Sequence, residues 1–362
     1  MEHMNPLLIG NESEHKFITI GEIMLRLTPP NYEKIRMTNS FEASYGGSEA
    51  NIALALANLG VDSTFFTVVP DNSLGKSAVR MLRSNDVHCT PVILTTPEQT
   101  PTHRLGSYYL ETGYGIRASK VIYDRKHSAI TEFDFSNVDL EALLDGYTWL
   151  HLSGITPALS EGCKKLTMDC LKVAKEKGIT VSFDGNFRSK LWTWEEARDF
   201  CTECLPYVDV LLGIEPYHLW KDDNDHSKGD WKDGVPLQPS YEQQDEIFQK
   251  FIERYPNIKC IARHVRYAHS GSENSLKAFL WYEGHTFESK LFHFNILDRV
   301  GGGDAFASGL IYAMMHDYKP MDIANFAVAS SAIKHTIRGD ANITDDVKSI
   351  RNLMDMNYDI KR

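Results

Sequence analysis

Short β-rich runs alternate with amphipathic helical patterns along most of this chain. The runs rich in β-branched and aromatic residues lie at 17–25, 63–69, 148–152, 180–184, 208–213 and 259–264. Apolar residues recur at the spacing of an α-helix in segments that start near Ser48, Ser73, Ala158, Thr193, Glu242, Asp304 and Met321. Strands that alternate with helices in this way predict an α/β fold, in which helices cover both faces of a mostly parallel sheet.

Two kinds of segment interrupt this alternation. Residues 26–45 and 103–125 are rich in aromatic and β-forming residues with no helical pattern inside them, which predicts a separate small sheet that serves as a lid or an interface. Residues 221–244 are polar and charged and contain proline and glycine. This second kind of segment is typical of an exposed, mobile loop.

The composition narrows the classes of protein that fit this pattern. Of 362 residues, 42% are hydrophobic and 24% are charged, as in a globular enzyme. The 38 basic and 49 acidic residues give a net charge of −11, which argues against a nucleic-acid or membrane-surface partner but leaves room for an anionic substrate held by a few arginines. No apolar run approaches the ~18 residues of a membrane span, and the first residues lack the basic start and apolar core of a signal peptide.

The six cysteines are scattered along the chain, which is typical of a protein in the reducing cytoplasm. Cys201 and Cys204 form a C-x-x-C pair, but no second pair accompanies them, and their segment has the pattern of an amphipathic helix. We therefore expect these two cysteines to pack in the core rather than to bind a metal.

The candidate chemistry lies where an extended run meets a helix. Gly301, Gly302 and Gly303 stand directly before Asp304, and because three adjacent glycines cost conformational entropy, they indicate that a ligand approaches the backbone closely. The start of a helix favours an anion such as phosphate. Asp304 would then accept the proton of a hydroxyl that attacks phosphorus. A tight turn with Asp304 as an ordinary helix cap fits the same local pattern.

Two segments carry a resemblance to a known family. The run GGSEAN at 46–51 and the stretch DRVGGGD at 298–304 resemble, in order and separation, the two signatures of ribokinase/PfkB-type carbohydrate kinases. The resemblance implies one ribokinase-like domain over residues 1–362, with a three-layer α/β/α fold and the two β-rich segments as a small lid. Gly302 departs from the family pattern, which usually has alanine at this place.

Within that family the chain is most similar to 2-keto-3-deoxygluconate kinases. The similar segments are GEIMLRLTPP at 21–30, VIYDR at 121–125, FDGNFR at 183–188, LW at 191–192 and KHTIRGD at 334–340, in which Arg338 replaces a proline. The resemblance implies a substrate site formed by Gly46, Gly47, Asn51, Tyr109, Tyr123, Arg125, Arg188 and Asp340. It implies a nucleotide site formed by Asn186, Arg188, Arg266, Gly301 and Gly303. It makes Gly301, Gly302 and Gly303 the anion hole and Asp304 the catalytic base.

An acidic sugar needs a cation for its carboxylate, which a neutral sugar does not. The guanidinium fork matches a carboxylate in two-point geometry, so Arg125 and Arg188 are the candidates. Each arginine fits a surface ion pair as well. Tyr109 and Tyr123 are as typical of packing in a β-lid as of a binding pocket.

The expected magnesium site departs from the family pattern. Ile214 and Tyr217 occupy the places of the asparagine and the glutamate in the family's N-x-x-E motif. We expect Glu215 to act as the metal ligand, or Mg²⁺ to be held mainly by ATP phosphates and water.

The expected function is the phosphorylation of the terminal hydroxyl of a sugar acid with ATP and Mg²⁺. The resemblance favours 2-keto-3-deoxygluconate and its 6-phosphate, in a cytoplasmic enzyme whose copies pair through the lid. A fructokinase or another neutral-sugar kinase, and a catalytically silent sugar-binding regulator, are the alternatives. A dehydrogenase is least favoured, because no G-x-G-x-x-G follows a strand in the first half of the chain.

Overall fold

The computed structural model describes residues 15–217, 231–232, 235–236, 238–344 and 346–356. In these ranges the strands are β1 (Lys16–Ile20), β2 (Met24–Thr28), β3 (Glu42–Gly46), β4 (Asp62–Phe66), β5 (Val68–Pro70), β6 (Ile93–Thr95), β7 (Ser107–Glu111), β8 (Lys120–Asp124), β9 (Trp149–Ser153), β10 (Thr180–Asp184), β11 (Val210–Leu212), β12 (Trp231–Lys232), β13 (Val235–Pro236), β14 (Cys260–Ala268), β15 (Glu273–Tyr282), β16 (His285–Glu288) and β17 (Phe292–Asn295). The helices are α1 (Ser48–Asn58), α2 (Ser73–Arg83), α3 (Ala129–Glu132), α4 (Leu140–Leu143), α5 (Glu161–Lys177), α6 (Trp194–Cys204), α7 (Tyr241–Arg254), α8 (Gly302–Met315), α9 (Pro320–Lys334) and α10 (Val347–Met354).

The central sheet has the strand order β16-β15-β14-β11-β10-β9-β1-β4, and β17 also pairs with β15. In this sheet the six strands β4, β1, β9, β10, β11 and β14 run parallel, whereas β15, β16 and β17 form an antiparallel extension. Successive side chains of β1 enter two different cores: Phe17 packs with α1, α8 and α9, and Ile18 packs with α5, α6 and α7. Helices therefore cover both faces, and the predicted three-layer ribokinase-like fold is confirmed.

A second, four-stranded sheet has the order β3-β2-β7-β8. Its strands come from the two β-rich segments, so the prediction of a separate small sheet is confirmed; we refer to it as the lid sheet. The predicted strand at 17–25 is wrong as one element, because β1 ends at Ile20 and β2 begins at Met24 in the other sheet. The run at 63–69 is likewise split between β4 and β5, and β5 pairs with β6.

The predicted loop at 221–244 lies partly outside the described residues, which exclude 218–230, 233–234 and 237. Its end is helical, since α7 begins at Tyr241 behind a capping box of Ser240 and Gln243. Cys201 and Cys204 are buried on α6 in the sheet–helix core, as predicted, and burial raises the pKa of both thiols. In the described part of the chain, no helix is both long and apolar enough to cross a membrane.

Candidate active site

The N-terminus of α8 is formed by Gly301, Gly302 and Gly303, which we call the glycine corner. Gly301 caps this helix with φ +80°, a left-handed conformation that favours glycine. A Cβ on Gly301 would also overlap the carbonyl oxygen of Asp340. The first N–H groups of an α-helix have no partner inside the helix, so the backbone at Gly302 and Gly303 presents donors to the space in front of the corner. An anion fits this arrangement.

Asp304 lies in the first turn of α8, opposite the N-terminus of α1. Its Oδ1 accepts a hydrogen bond of 2.7 Å from Ser48 Oγ, and its Oδ2 accepts one of 2.7 Å from Asn51 Nδ2. Burial raises the pKa of Asp304 above the ordinary value of an aspartate, although both hydrogen bonds and the charge of Arg188 oppose the rise. The carboxylate is thus oriented by two donors and retains a raised proton affinity, which suits a general base.

The space beside the glycine pair Gly46 and Gly47 is occupied by other atoms of the protein. Gly46 ends β3, and a Cβ there would overlap the carboxylate of Asp340. A Cβ on Gly47 would overlap the carbonyl oxygen of Glu22. The pair therefore lets the chain turn tightly from the lid sheet into α1, which brings Ser48 and Asn51 to Asp304.

A cleft of about 1040 Å³ connects the lid sheet, the glycine corner and the carboxyl ends of the central strands. Its volume is sufficient for a sugar and a nucleotide together. The residues of the sequence prediction that line it are Gly47, Asn51, Tyr123, Arg125, Asn186, Arg188, Glu215, Arg266, Gly301, Gly302, Gly303, Asp304 and Asp340. Gly46 and Tyr109 are not among the lining residues.

Tyr109, which the sequence assigned to the substrate pocket, does not line this cleft. Side chains alternate between the two faces of a strand, and on β7 it is Tyr108 that faces the cleft. Tyr109 lies on the opposite face, where it pairs with Leu27 and Ile122 of the neighbouring strands. The sequence identified the strand but not which of its faces is buried.

The lid arginine Arg125 is already bound to a carboxylate. Its Nε donates to Glu22 Oε2 at 2.7 Å, and its Nη2 forms an ion pair with the same atom. Ser128 Oγ donates to the other oxygen of Glu22 at 2.6 Å. Both charged partners are at least 91% buried, so much of the positive charge of Arg125 is compensated within the protein.

The FDGNFR segment brings three polar residues to the end of β10. Arg188 is exposed, and its Nη1 donates to the carbonyl oxygen of Phe187 at 3.1 Å. Asn186 Nδ2 donates to Ser48 Oγ at 3.1 Å, which extends the hydrogen-bonded chain that ends at Asp304. Burial raises the pKa of Asp184 to about 7; Arg188 lowers it, and the charge of Asp304 raises it.

The candidate ligands of magnesium lie at the end of β10 and in the segment that follows β11. Glu215 lines the cleft, whereas Tyr217, in the place of the motif's glutamate, is 6% exposed and packs against Phe251. Asp184 also lines the cleft; burial raises its pKa, the charge of Asp304 adds to the rise, and a cation bound beside it would favour its ionised form. Two carboxylates near a phosphate site are a donor set that Mg²⁺ accepts, with phosphate oxygens and water completing its shell.

Several residues of the site were not selected from the sequence. Ser48 lies inside the GGSEAN run and Asp184 inside the FDGNFR segment, so these segments were themselves the signal for them. Glu22 and Arg26 are charged residues within an otherwise apolar run, which is a sign of a buried ion pair. The sequence could not name their partners, which are between 103 and 314 positions away.

Comparison with known proteins agrees with the fold. Residues 14–215 match the pfkB family carbohydrate kinase description. A 2-dehydro-3-deoxygalactonokinase from Haloferax volcanii is 31% identical over 335 residues, which are 91% of this chain and 94% of the relative. The chain therefore belongs to the pfkB family of carbohydrate kinases.

Two further relatives are similar over nearly their whole length. A 2-dehydro-3-deoxygluconokinase from Thermoproteus tenax is 25% identical over 332 residues, 91% of both chains. The crystal structure of a 2-dehydro-3-deoxygluconokinase from Thermotoga maritima superposes with a TM-score of 0.84 at 38% identity, covering 94% of this chain and 99% of that one. This protein is accordingly a sugar kinase.

Proposed function

We propose that this kinase transfers the γ-phosphoryl group of ATP to the terminal hydroxyl of a 2-keto-3-deoxy sugar acid, with 2-keto-3-deoxygluconate as the substrate. The observation that carries the proposal is the position of Asp304, held by donors from α1 at the N-terminus of α8 and facing the large cleft. The names of the relatives from Haloferax, Thermoproteus and Thermotoga support the class of substrate.

In the proposed step Asp304 takes the proton of the substrate hydroxyl. The hydroxyl oxygen forms a bond to the γ-phosphorus, the bond from that phosphorus to the bridging oxygen breaks, and ADP leaves. The backbone donors at Gly302 and Gly303 stabilise the negative charge on the transferred group. Asn51 and Ser48 keep the carboxylate pointed at the hydroxyl.

The nucleotide would lie on the side of the cleft lined by Asn186, Arg188 and Arg266. Mg²⁺, when bound with the nucleotide, supplies positive charge that neutralises the phosphates. Asp184 and Glu215 are the carboxylates that would hold it, directly or through water. Closing the lid sheet over the sugar would exclude water from this transfer.

The carboxylate of an acidic substrate has two cationic candidates. Arg188 is exposed at the cleft, where its Nη1 donates to the neutral carbonyl oxygen of Phe187. Arg125 commits Nε and Nη2 to Glu22, so its Nη1 is the atom that would reach a substrate. A keto acid that contacts both arginines would bind more tightly than a neutral sugar of the same size.

A coupled assay of ADP release over a panel of sugars tests the proposal. We expect the protein to phosphorylate 2-keto-3-deoxygluconate or its galactonate epimer far faster than fructose or ribose. Asp304→Asn should retain ATP binding and lower kcat by about 10²- to 10⁴-fold, since it removes the general base. Asp139→Asn is the matched control, because Asp139 caps α4 and asparagine caps a helix equally well.

The outcomes separate the alternatives. Faster turnover of fructose would identify a neutral-sugar kinase and would remove the carboxylate argument. No turnover of any sugar, with binding retained, would favour a silent regulator. Near-normal turnover by Asp304→Asn would disprove the assignment of the base.

We also propose that two copies pair through the outer face of the lid sheet. That face carries an apolar row of Ala43, Leu27, Tyr109 and Ile122 on four adjacent strands. Ile122 is 42% exposed. A second copy that covers this row would remove its apolar area from water.

A further inference from the structure

One arginine of the lid sheet is buried between two aspartates of the body. Arg26 on β2 is 4% exposed. Its Nη1 donates to Asp340 and its Nη2 donates to Asp298, while its Nε donates to Thr28 Oγ1 at 2.9 Å. The three nitrogens of the guanidinium group are thus all engaged inside the protein. Arg26 does not line the large cleft, so it is not placed to bind the substrate.

The two aspartates hold the loops on either side of the anion hole. Asp298 accepts the N–H of Val300 with Oδ1 at 3.1 Å and the N–H of Gly339 with Oδ2 at 3.1 Å. Asp340 accepts the hydroxyl of Tyr108 from the lid sheet. The backbone of Asp340 packs directly on Gly301, where a side chain would not fit. The orientation of these carboxylates therefore sets the path of the glycine corner.

A second buried cation completes the charge balance. Lys334, at the end of α9, has an exposed fraction of 0% and donates from Nζ to the carbonyl oxygens of Asp298 and Ile337 at 3.3 Å each. One buried network thus contains two positive groups, Arg26 and Lys334, and two negative groups, Asp298 and Asp340. Such a network tolerates burial only while each charge is compensated.

We infer that Arg26 is a positioning residue that couples the lid sheet to the anion hole. By holding Asp298 and Asp340 together, it fixes the directions of the backbone N–H groups that receive the transferred phosphate. It does so from the lid sheet, so the anion hole is complete only when that sheet is docked on the body. This inference deepens the proposed function and rests on it for its kinetic consequences.

The first test compares Arg26→Lys with Arg26→Met. A lysine keeps the charge but cannot bridge two carboxylates as the guanidinium fork does. We expect both variants to lower kcat by about 10²-fold, the loss typical of a displacement of about 1 Å at a reacting group. The KM for the sugar should change by less than about threefold, because no contact to the substrate is removed. Arg104→Met is the matched control, since Arg104 forms an exposed lid ion pair with Asp124.

The second test measures the coupling between the lid sheet and the anion hole by a method that does not depend on catalytic activity. In hydrogen exchange followed by mass spectrometry, the amides of Val300 and Gly339, which donate to Asp298, should lose protection in Arg26→Lys and keep it in Arg104→Met. A double variant, Arg26→Met with Asp298→Asn, removes one charge of each sign. It should recover part of the melting temperature lost in Arg26→Met while kcat remains low.

The inference is overturned if Arg26→Lys keeps the wild-type kcat, or if the protection of the Val300 and Gly339 amides is unchanged. It is also overturned if the double variant regains kcat along with its melting temperature, because a purely structural role would give that result. Failure of the proposed function has a different signature. In that case the wild type phosphorylates no sugar of the panel, and the exchange experiment alone decides whether Arg26 couples the lid sheet to the corner.

Discussion

At the scale of single residues, the pKa of the Asp304 carboxyl is set by its burial and by a small number of neighbouring groups. Two donors, from Ser48 and Asn51, stabilise its charged form, while burial and the nearby charge of Asp340 destabilise it. Because burial dominates, the pKa lies above that of an ordinary aspartate. Each neighbour is therefore a means of moving the pH range in which the base is ionised.

Ser48→Ala should shift the acidic limb of the pH–rate profile to higher pH. The base acts only when deprotonated, so activity is lost as pH falls through its pKa. Removing the Ser48 donor destabilises the charged form further and raises that pKa. A profile of kcat/KM against pH measures the shift in the free enzyme. Ser84→Ala, which removes an exposed hydrogen bond to Met81 at the end of α2, is the control. An acidic limb that stays at the same pH, or moves to lower pH, would contradict the hydrogen bond from Ser48 to Asp304.

The departure at Gly302 also has a physical reason at this scale. A Cβ on Gly302 would stand 2.9 Å from Nε2 of His335 and closer still to its Cε1. His335 cannot easily move, because its Nδ1 lies 2.7 Å from the carbonyl oxygen of Ser331 and its ring packs on Phe294. The histidine of the KHTIRGD segment thus fills the space that an alanine would need. The sequence showed both residues but not that they touch.

At the scale of elements, the sequence predicted whether a segment is a helix or a strand better than it predicted which distant segment that element contacts. The α1 and α2 starts at Ser48 and Ser73 were correct to the residue, since capping residues and apolar period are local signals. The break between β1 and β2 was missed because the run from 17 to 25 is mostly apolar and β-forming, with Glu22 as its one charged residue. The partner of that glutamate, Arg125, is distant in sequence. Long-range pairs of this kind have no local signature.

The pairing of α8 with α9 shows an element contact that a single side chain can disrupt. Both helices are apolar on nearly all sides and buried. A Cβ on Gly309 of α8 would stand 2.8 Å from Ser330 Cβ and 3.0 Å from Ala327 Cα of α9. The glycine therefore permits the close approach of the helix that carries Asp304 and the helix that carries Lys334.

Gly309→Val should lower the free energy of unfolding by about 1–3 kcal/mol, the usual cost of overpacking a core. Urea unfolding measures the loss. Gly162→Ala on the exposed side of α5 is the control, because the nearest atoms to its new Cβ lie at an ordinary 3.6 Å. That control should be neutral or stabilising by up to about 1 kcal/mol. Equal unfolding midpoints for Gly309→Val and the wild type would show that the two helices have room to separate.

At the scale of the whole molecule, the lid sheet has two faces with different tasks. Its inner face gives Tyr108 and Arg26 to the corner and to the charged network. Its outer face presents the row around Tyr109 that the cleft does not use. The sequence predicted a lid or an interface, and the alternation of side chains across one sheet supplies a surface for each role. Only the strand register, which depends on distant pairings, assigns residues to one face or the other.

Ile122→Arg should separate the proposed pair of copies. In a two-fold interface each substitution occurs twice, and an unpaired charge buried among apolar side chains is strongly unfavourable. Light scattering after size exclusion should give twice the chain mass of 41.1 kDa for the wild type and a single chain mass for the variant. Ile116→Arg is the control, because Ile116 is fully exposed at the tip between β7 and β8. A wild type of one chain mass, or an Ile122→Arg variant that stays paired, would show that the outer face of the lid sheet is not the interface. Since the inner face of the same sheet holds the corner, a separated variant should also show whether pairing is needed to keep the lid sheet docked.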